Sequence, residues 1–355
     1  MNYSPLHEEH ENLNANLTDF SGWKMPLHYG SILNEHMYVR DSVGIFDISH
    51  MGSIFISGDR CTEWLESLLS SKIDTLLPLT SQYSFLLNNR GGVIDDLIVY
   101  CLSSDSYLII PNASRVDLVY EKLIENLSCD GVKIENKSAS MVLIAVQGKL
   151  ADTFMDSIFT NQNLDGLKKN QLKMMDGKQD SIIIARTGYT GSPGFELFTS
   201  IEEGIALWRL MLNNNSKIKA LPCGLGCRDT LRMEAGYPLY GNELTEEINP
   251  IQAGLGYFLN ENIRNKISKL ITKDSKRIVY YKILEKSPPP RKGYEIFHNN
   301  IKVGSVTSGC ISPTTKQGIG FAIVSTSVIK NKSKMYNILI RNRKYSLMFL
   351  KRGIL

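Results

Sequence analysis

The chain has 355 residues, of which 43% are hydrophobic and 21% charged, and a formal net charge of +4. That is an ordinary globular composition, long enough for two or three domains, and no apolar run approaches the ~18 residues needed to span a bilayer as a helix. The first residues carry Glu8, Glu9 and Glu11 and no apolar stretch, which argues against a secretory signal or an arginine-rich presequence and leaves the cytoplasm as the expected location.

The apolar stripe of Ile32, Leu33, His36, Met37 and Val39 predicts a helix over 31–42. A strand is expected over 51–57, and a helix after Asp59 in which Trp64/Leu68 and Leu65/Leu69 are one turn apart. Strands over 83–87 and 93–102 flank the turn residues Asn88-Asn89-Arg90-Gly91-Gly92, the pattern of a hairpin. A strand over 106–110 and an amphipathic helix over 113–127 follow. Strands are predicted over 141–146, 181–187 and 195–198, and helices over 201–212 and 225–234. Beyond the polar stretch 273–276, six short runs over 278–284, 294–298, 302–307, 319–324, 337–341 and 345–350 are separated by turn signals such as Pro288-Pro289-Pro290 and Ser312-Pro313. That spacing predicts a small all-β domain.

The second strand of the hairpin holds the most unusual residues. Asp95 and Asp96 are adjacent inside Val93-Ile94-Asp95-Asp96-Leu97-Ile98-Val99-Tyr100. Successive strand residues face opposite sides, so one carboxylate must look away from solvent, where an unpartnered charge is costly. Glu196, in Phe195-Glu196-Leu197 after the turn Gly188-Tyr189-Thr190-Gly191, is a similar interruption. It is either a solvent-facing residue on an alternating strand or a carboxylate facing a ligand. Arg228 follows the glycine-rich Cys223-Gly224-Leu225-Gly226-Cys227 at the start of a helix. There it can clamp a carboxylate or add to the anion affinity of the helix N-terminus. It shares a helix face with Arg232, whereas Arg232 and Glu234 are too close in sequence to pair on a helix.

The six cysteines (Cys61, Cys101, Cys129, Cys223, Cys227 and Cys310) read as reduced core thiols. Cys223-x3-Cys227 has metal-ligand character, but no second Cys/His pair accompanies it, and no metal is expected. His7-Glu8-Glu9-His10 lacks zinc-protease spacing, and His50 beside a strand reads as structural. After Glu295 the chain has no acidic residue but ten Lys and Arg, a solvated basic face or a surface for an acidic partner. No nucleic-acid-binding motif accompanies these charges, and no GxSxG elbow, P-loop or Rossmann fingerprint is present.

Several segments taken together resemble the glycine cleavage system T-protein (aminomethyltransferase) family. They are Asp19-Phe20-Ser21-Gly22-Trp23-Lys24-Met25-Pro26-Leu27-His28-Tyr29-Gly30, Phe46-Asp47-Ile48-Ser49-His50-Met51-Gly52, Gly91-Gly92-Val93-Ile94-Asp95-Asp96 and Ala145-Val146-Gln147-Gly148. The order continues through Thr187-Gly188-Tyr189-Thr190-Gly191, the stretch 223–236 and Thr307-Ser308-Gly309-Cys310-Ile311-Ser312-Pro313. The resemblance implies an α+β fold, a three-domain ring around a central folate site with a C-terminal all-β, jelly-roll or barrel-like domain. It implies a discontinuous folate-binding domain over 1–52 and 140–256, a domain over 53–139 carrying the aspartate strand, a connector over 257–276 and a β domain over 277–355.

The implied reaction takes the one-carbon unit from an aminomethyl group on the lipoyl arm of H-protein to tetrahydrofolate. Its products are 5,10-methylenetetrahydrofolate, ammonia and dihydrolipoyl H-protein. The co-substrate is tetrahydrofolate and the partner is lipoylated H-protein, with no metal, nucleic acid or membrane. By resemblance Asp96 is the catalytic carboxylate. Met51, Tyr83, Tyr100, Asn112, Tyr189, Glu196, Arg228 and Arg352 bind folate, with Lys351 the alternative to Arg352. The same fold also carries folate-dependent demethylases and non-enzymatic folate-binding paralogues. The chain departs from the family pattern after Gly254-Leu255-Gly256-Tyr257, where the connecting segment is short and lacks the usual glycine.

Overall fold

The computed structural model describes residues 1–128, 130–160, 162–214, 217–272, 275–326, 335–351 and 353–354. Two compact units divide the chain: Met1–Leu68, Ile73–Tyr83 and Leu97–Asp229 form the first, and Leu69–Lys72, Ser84–Asp96 and Thr230–Leu355 the second.

The first unit is built on a six-stranded sheet. Its order is Leu172–Asp176, Ser181–Ala185, Gly194–Ser200, Met141–Gln147, Val43–Asp47, Ala220–Pro222. All neighbours are antiparallel except the last pair. Val43–Asp47 and Met141–Gln147 are buried at every position, as expected of central strands, whose runs are continuously apolar rather than alternating. One face of the sheet is covered by the helices Ala151–Ile158 and Ile201–Asn213, which bury Phe154, Met155, Leu207, Trp208 and Met211 against Val142, Ile144 and Leu197. Gly204 permits the close approach of the second helix, because a Cβ there would fall 2.3 Å from Val142 Cβ.

A five-stranded sheet has the order Thr80–Leu87, Val93–Ser103, Ser106–Ile110, Ile54–Ser57, Lys133–Asn136. The expected hairpin is present: Asn88 N–H donates to Gly92 O, and Gly91 takes the left-handed φ of +79° that its turn requires. The strand expected over 51–57 begins later, at Ile54, because Gly52 N–H donates to Pro111 O instead of to a strand neighbour. The helix expected over 113–127 is a 3-10 turn, Ala113–Arg115, followed by α-helix Val116–Glu125. A small sheet of Asn2–Tyr3, Trp23–His28 and Asn16–Phe20 was not anticipated.

In the second unit the six predicted C-terminal strands close into a barrel. Around it run Lys276–Ile283, Gly318–Ser325, Ile301–Ile311, Glu295–His298, Tyr336–Ile340 and Arg343–Leu350, the last pairing with the first. Closure leaves no sheet edge open to another chain. The interior holds Tyr281, Ile283, Ile296, Val306, Val324, Ile338 and Leu347. The segment ahead of the barrel contains a helix, Glu261–Ser268, whose first turn is capped by Asn260 Oδ1 accepting from Ile263 N–H at 2.9 Å. Lys273, Asp274 and Cys129 lie outside the described residues.

Candidate active site

The strand Val93–Ser103 distinguishes its two aspartates. Asp95 is fully buried and Asp96 half-buried, as opposite faces of one strand require. Asp96 and Tyr100 are four residues apart and project from the same face of the strand. Tyr83 is half-buried on Thr80–Leu87, the edge strand of the same sheet.

In the first unit, Tyr100 and Glu196 come together. Glu196 is 9% exposed, which rules out the solvent-facing role left open by the sequence. It sits opposite Ala145 on one side and Ala185 on the other, two small residues that leave space beside the carboxylate. Its Oε2 accepts from Thr187 Oγ1 at 2.6 Å and from Tyr100 OH at 3.2 Å. Among the described residues nothing donates to its Oε1. Phe198 meets the Tyr100 ring edge-on at 5.1 Å between centroids. Burial and the neighbouring Glu196 charge hold the Tyr100 hydroxyl well above the usual phenol range, so Tyr100 stays a neutral donor.

Tyr189 and Arg228 form a second pair, with the guanidinium 5.0 Å from the ring centroid. Arg228 stands in the first turn of the helix Leu225–Ala235. Its Nη1 is buried with no hydrogen-bond partner among the described residues. Burial lowers its pKa, while the Glu196 and Tyr189 charges work in the opposite direction. A buried guanidinium N–H without an acceptor is a costly arrangement that an anionic or carbonyl ligand group would relieve. Arg232, on the same helix, belongs to the second unit, where it is 2% exposed and pairs with Glu243 at 3.3 Å.

Met51 and Asn112 lie on adjoining segments, held by the hydrogen bond from Gly52 N–H to Pro111 O at 3.0 Å. A Cβ at Gly52 would fall 2.6 Å from Pro111 Cγ, so this approach needs glycine. His50 is buried beside Phe20, and its Nδ1 has no partner among the described residues. Burial and, more weakly, the Arg228 charge depress its pKa to about 4 against the opposing pull of Asp47. His50 is therefore neutral near pH 7. Asp47 itself remains ionised: burial raises its pKa, but hydrogen bonds from His10, Ser4 and Ser49 outweigh that and lower it overall. Arg352 lies outside the described residues, and Lys351 is exposed.

The sequence reading passed over Gln147, although it lies in a quoted motif. It is fully buried. Its Nε2 donates to Thr187 O at 3.1 Å and Phe195 O at 3.2 Å, and its Oε1 accepts from Thr190 Oγ1 at 2.9 Å. The amide thus spans both arms of the turn that carries Tyr189. A Cβ at Gly188 would fall 2.0 Å from Gln147 Oε1, which accounts for the glycine there. Arg40 braces the same turn from outside, its Nη1 donating to Thr190 O at 2.9 Å and Ser192 Oγ at 2.8 Å. The only sequence signal for Gln147 is a lone amide ending an otherwise apolar strand.

Comparison with known proteins agrees with this architecture. Residues 6–262 match the model of the GCVT N-terminal domain, and 276–352 that of the glycine cleavage T-protein C-terminal barrel domain. The chain is 38% identical over 337 residues to an aminomethyltransferase of Leptospira interrogans, covering 92% of this chain and 90% of the relative. It is 37% identical over 350 residues to an aminomethyltransferase of Caldanaerobacter subterraneus, covering 96% and 92%. The crystal structure of the glycine cleavage system aminomethyltransferase T from Bartonella henselae superposes with a TM-score of 0.88 at 30% identity, covering 99% of this chain and 98% of that one. The chain belongs to the glycine cleavage T-protein family, and its activity class is that of a tetrahydrofolate-dependent aminomethyltransferase.

Proposed function

We propose that the chain moves the methylene carbon of an aminomethyl group, carried as a thioether on the lipoyl arm of an H-protein, onto tetrahydrofolate. The carbon–nitrogen bond to the amine and the carbon–sulfur bond to the arm break. Two carbon–nitrogen bonds to folate form, and ammonia and the dihydrolipoyl arm leave. In this reading residues 1–52 and 140–256 make the folate-binding module, 53–139 carry the aspartate strand, 257–276 connect, and 277–355 form the β domain. The reaction itself calls for no metal step. We place the chain in the cytoplasm, a reading supported by the acidic residues Glu8, Glu9 and Glu11 near its start, which fit neither a secretory signal nor an arginine-rich presequence. No helix among the described residues is long and apolar enough to cross a membrane.

The observation that carries the proposal is that Glu196 and Arg228 each keep an atom unsatisfied by the described residues. One has a carboxylate oxygen to which no described residue donates, and the other a buried N–H with no described acceptor. A pterin offers N–H donors for the first, and a folate offers carbonyl and carboxylate acceptors for the second. Tyr100 stays protonated and fixes Glu196 in place, while Met51, Tyr83, Asn112, Tyr189 and Arg352 (or Lys351) complete the proposed folate set. Asp96 is assigned the chemical role. Expulsion of the amine leaves a cationic carbon still bound to the lipoyl sulfur, which a fixed carboxylate stabilises while it orients the attacking folate nitrogen or takes its proton.

The test is ammonia release from aminomethylated H-protein, measured with and without tetrahydrofolate. The proposal expects release that depends on folate. Methyl transfer from dimethylglycine or dimethylsulfoniopropionate, without release from H-protein, would instead identify a demethylase on the same fold.

A further inference from the structure

Cys223 and Cys227 bracket the entry to the helix Leu225–Ala235, and the fold brings them a carboxylate the sequence did not associate with them. Glu35, on the helix Ile32–Asp41, is 3% exposed, and the two thiols are 1% and 0% exposed. One carboxylate oxygen of Glu35 and the two Sγ atoms all lie within 4.8 Å of one another. The packing that achieves this rests on small residues: a Cβ at Gly224 would fall 2.3 Å from Leu27 O, and one at Gly44 2.7 Å from Cys223 Sγ.

We infer that Glu35, Cys223 and Cys227 form a binding site for one thiophilic divalent cation of the zinc type, independent of the transfer reaction. Zinc–sulfur and zinc–oxygen bonds of about 2.3 and 2.1 Å put tetrahedral ligand atoms about 3.5–3.8 Å apart. The cluster's separations, all within 4.8 Å, stand near that spacing. Glu35 is already oriented as such a ligand should be: its Oε1 accepts from Tyr29 N–H at 2.7 Å and its Oε2 from Gly224 N–H at 2.9 Å. Water is the donor expected at the fourth position.

The balance is simple. Each thiol loses its proton to solvent as its sulfur bonds the metal, and no oxidant or reductant is involved.

The full chain, reduced and refolded with one equivalent of Co2+ or Zn2+, tests this. We expect one metal per chain by native mass spectrometry, and with Co2+ a thiolate-to-metal charge-transfer band. The band should persist in Cys61→Ala, disappear in Cys223→Ala and Cys227→Ala, and weaken in Glu35→Gln. The wild-type arm decides by itself if a variant does not fold: folded wild-type protein without stoichiometric metal or without the band overturns the site. A band unchanged in folded Cys227→Ala overturns it equally.

Discussion

Tyr100 donates a 3.2 Å hydrogen bond to Glu196 Oε2, joining two strands whose residues are 96 positions apart in the chain. Thr187 donates to the same oxygen at 2.6 Å. Two neutral hydroxyls thus hold one carboxylate in a fixed orientation, with its other oxygen available to a ligand.

If Glu196 meets the pterin, removing its charge should weaken folate more than it weakens the fold. We predict that Glu196→Gln binds tetrahydrofolate about 10- to 100-fold more weakly, the value of a hydrogen bond to a charged group, about 1.5–3 kcal/mol. Calorimetric titration with tetrahydrofolate measures this. Unchanged affinity in a folded variant would remove Glu196 from the site.

Gln147 acts on the same region through the backbone. Gln147→Ala leaves Thr187 O, Phe195 O and the Thr190 hydroxyl without their present partner. We predict a loss of about 2–4 kcal/mol in urea unfolding, the range for buried groups left unpaired. Because the turn carries Tyr189, folate affinity should fall with it. A variant as stable as the parent would mean that water or a rearranged turn satisfies these groups.

His50 predicts an acid sensitivity with a defined window. Its ordinary pKa of 6.5 falls to about 4 in the folded chain, chiefly through burial and then the Arg228 charge, with Asp47 opposing. Between pH 6.5 and 4 the unfolded chain therefore binds more protons than the folded one, and stability falls as the pH is lowered through that window, by about 3 kcal/mol in all. Asp47, whose pKa is also lowered, keeps its contribution until the pH drops below the ordinary carboxylate value. Urea unfolding of the parent and His50→Gln at pH 7 and pH 5 separates the two. The variant should be less sensitive to this change, and equal slopes would contradict the assignment.

What the sequence disclosed follows from how local each signal is. All six barrel strands were legible because each is a short apolar run bounded by its own turn residues. Leu172–Asp176 was not: as an outer strand of its sheet it reads Leu-Lys-Met-Met-Asp, with neither continuous apolarity nor clean alternation. Ala220–Pro222 has only three residues, and its parallel pairing with Val43–Ile45 is a tertiary event. The same distinction holds at the site. Asp95 and Asp96 announced themselves as charges in an apolar strand, and period-two geometry already placed them on different faces. Gln147 and Glu35 looked ordinary, because their roles depend on a distant glycine turn and a distant cysteine pair. Arg228 was identified from its glycine-rich approach, but its unpaired buried Nη1 follows only from tertiary packing.

The central claim is that Asp96 performs the chemistry while other residues hold the folate. The measurement that addresses it most directly is single-turnover formation of 5,10-methylenetetrahydrofolate from aminomethylated H-protein by Asp96→Asn, alongside its affinity for tetrahydrofolate. The account predicts folate affinity close to that of the parent and a rate lower by about 100-fold or more, the scale of a lost general base or electrostatic stabiliser. Parent-like turnover by the folded variant would contradict it.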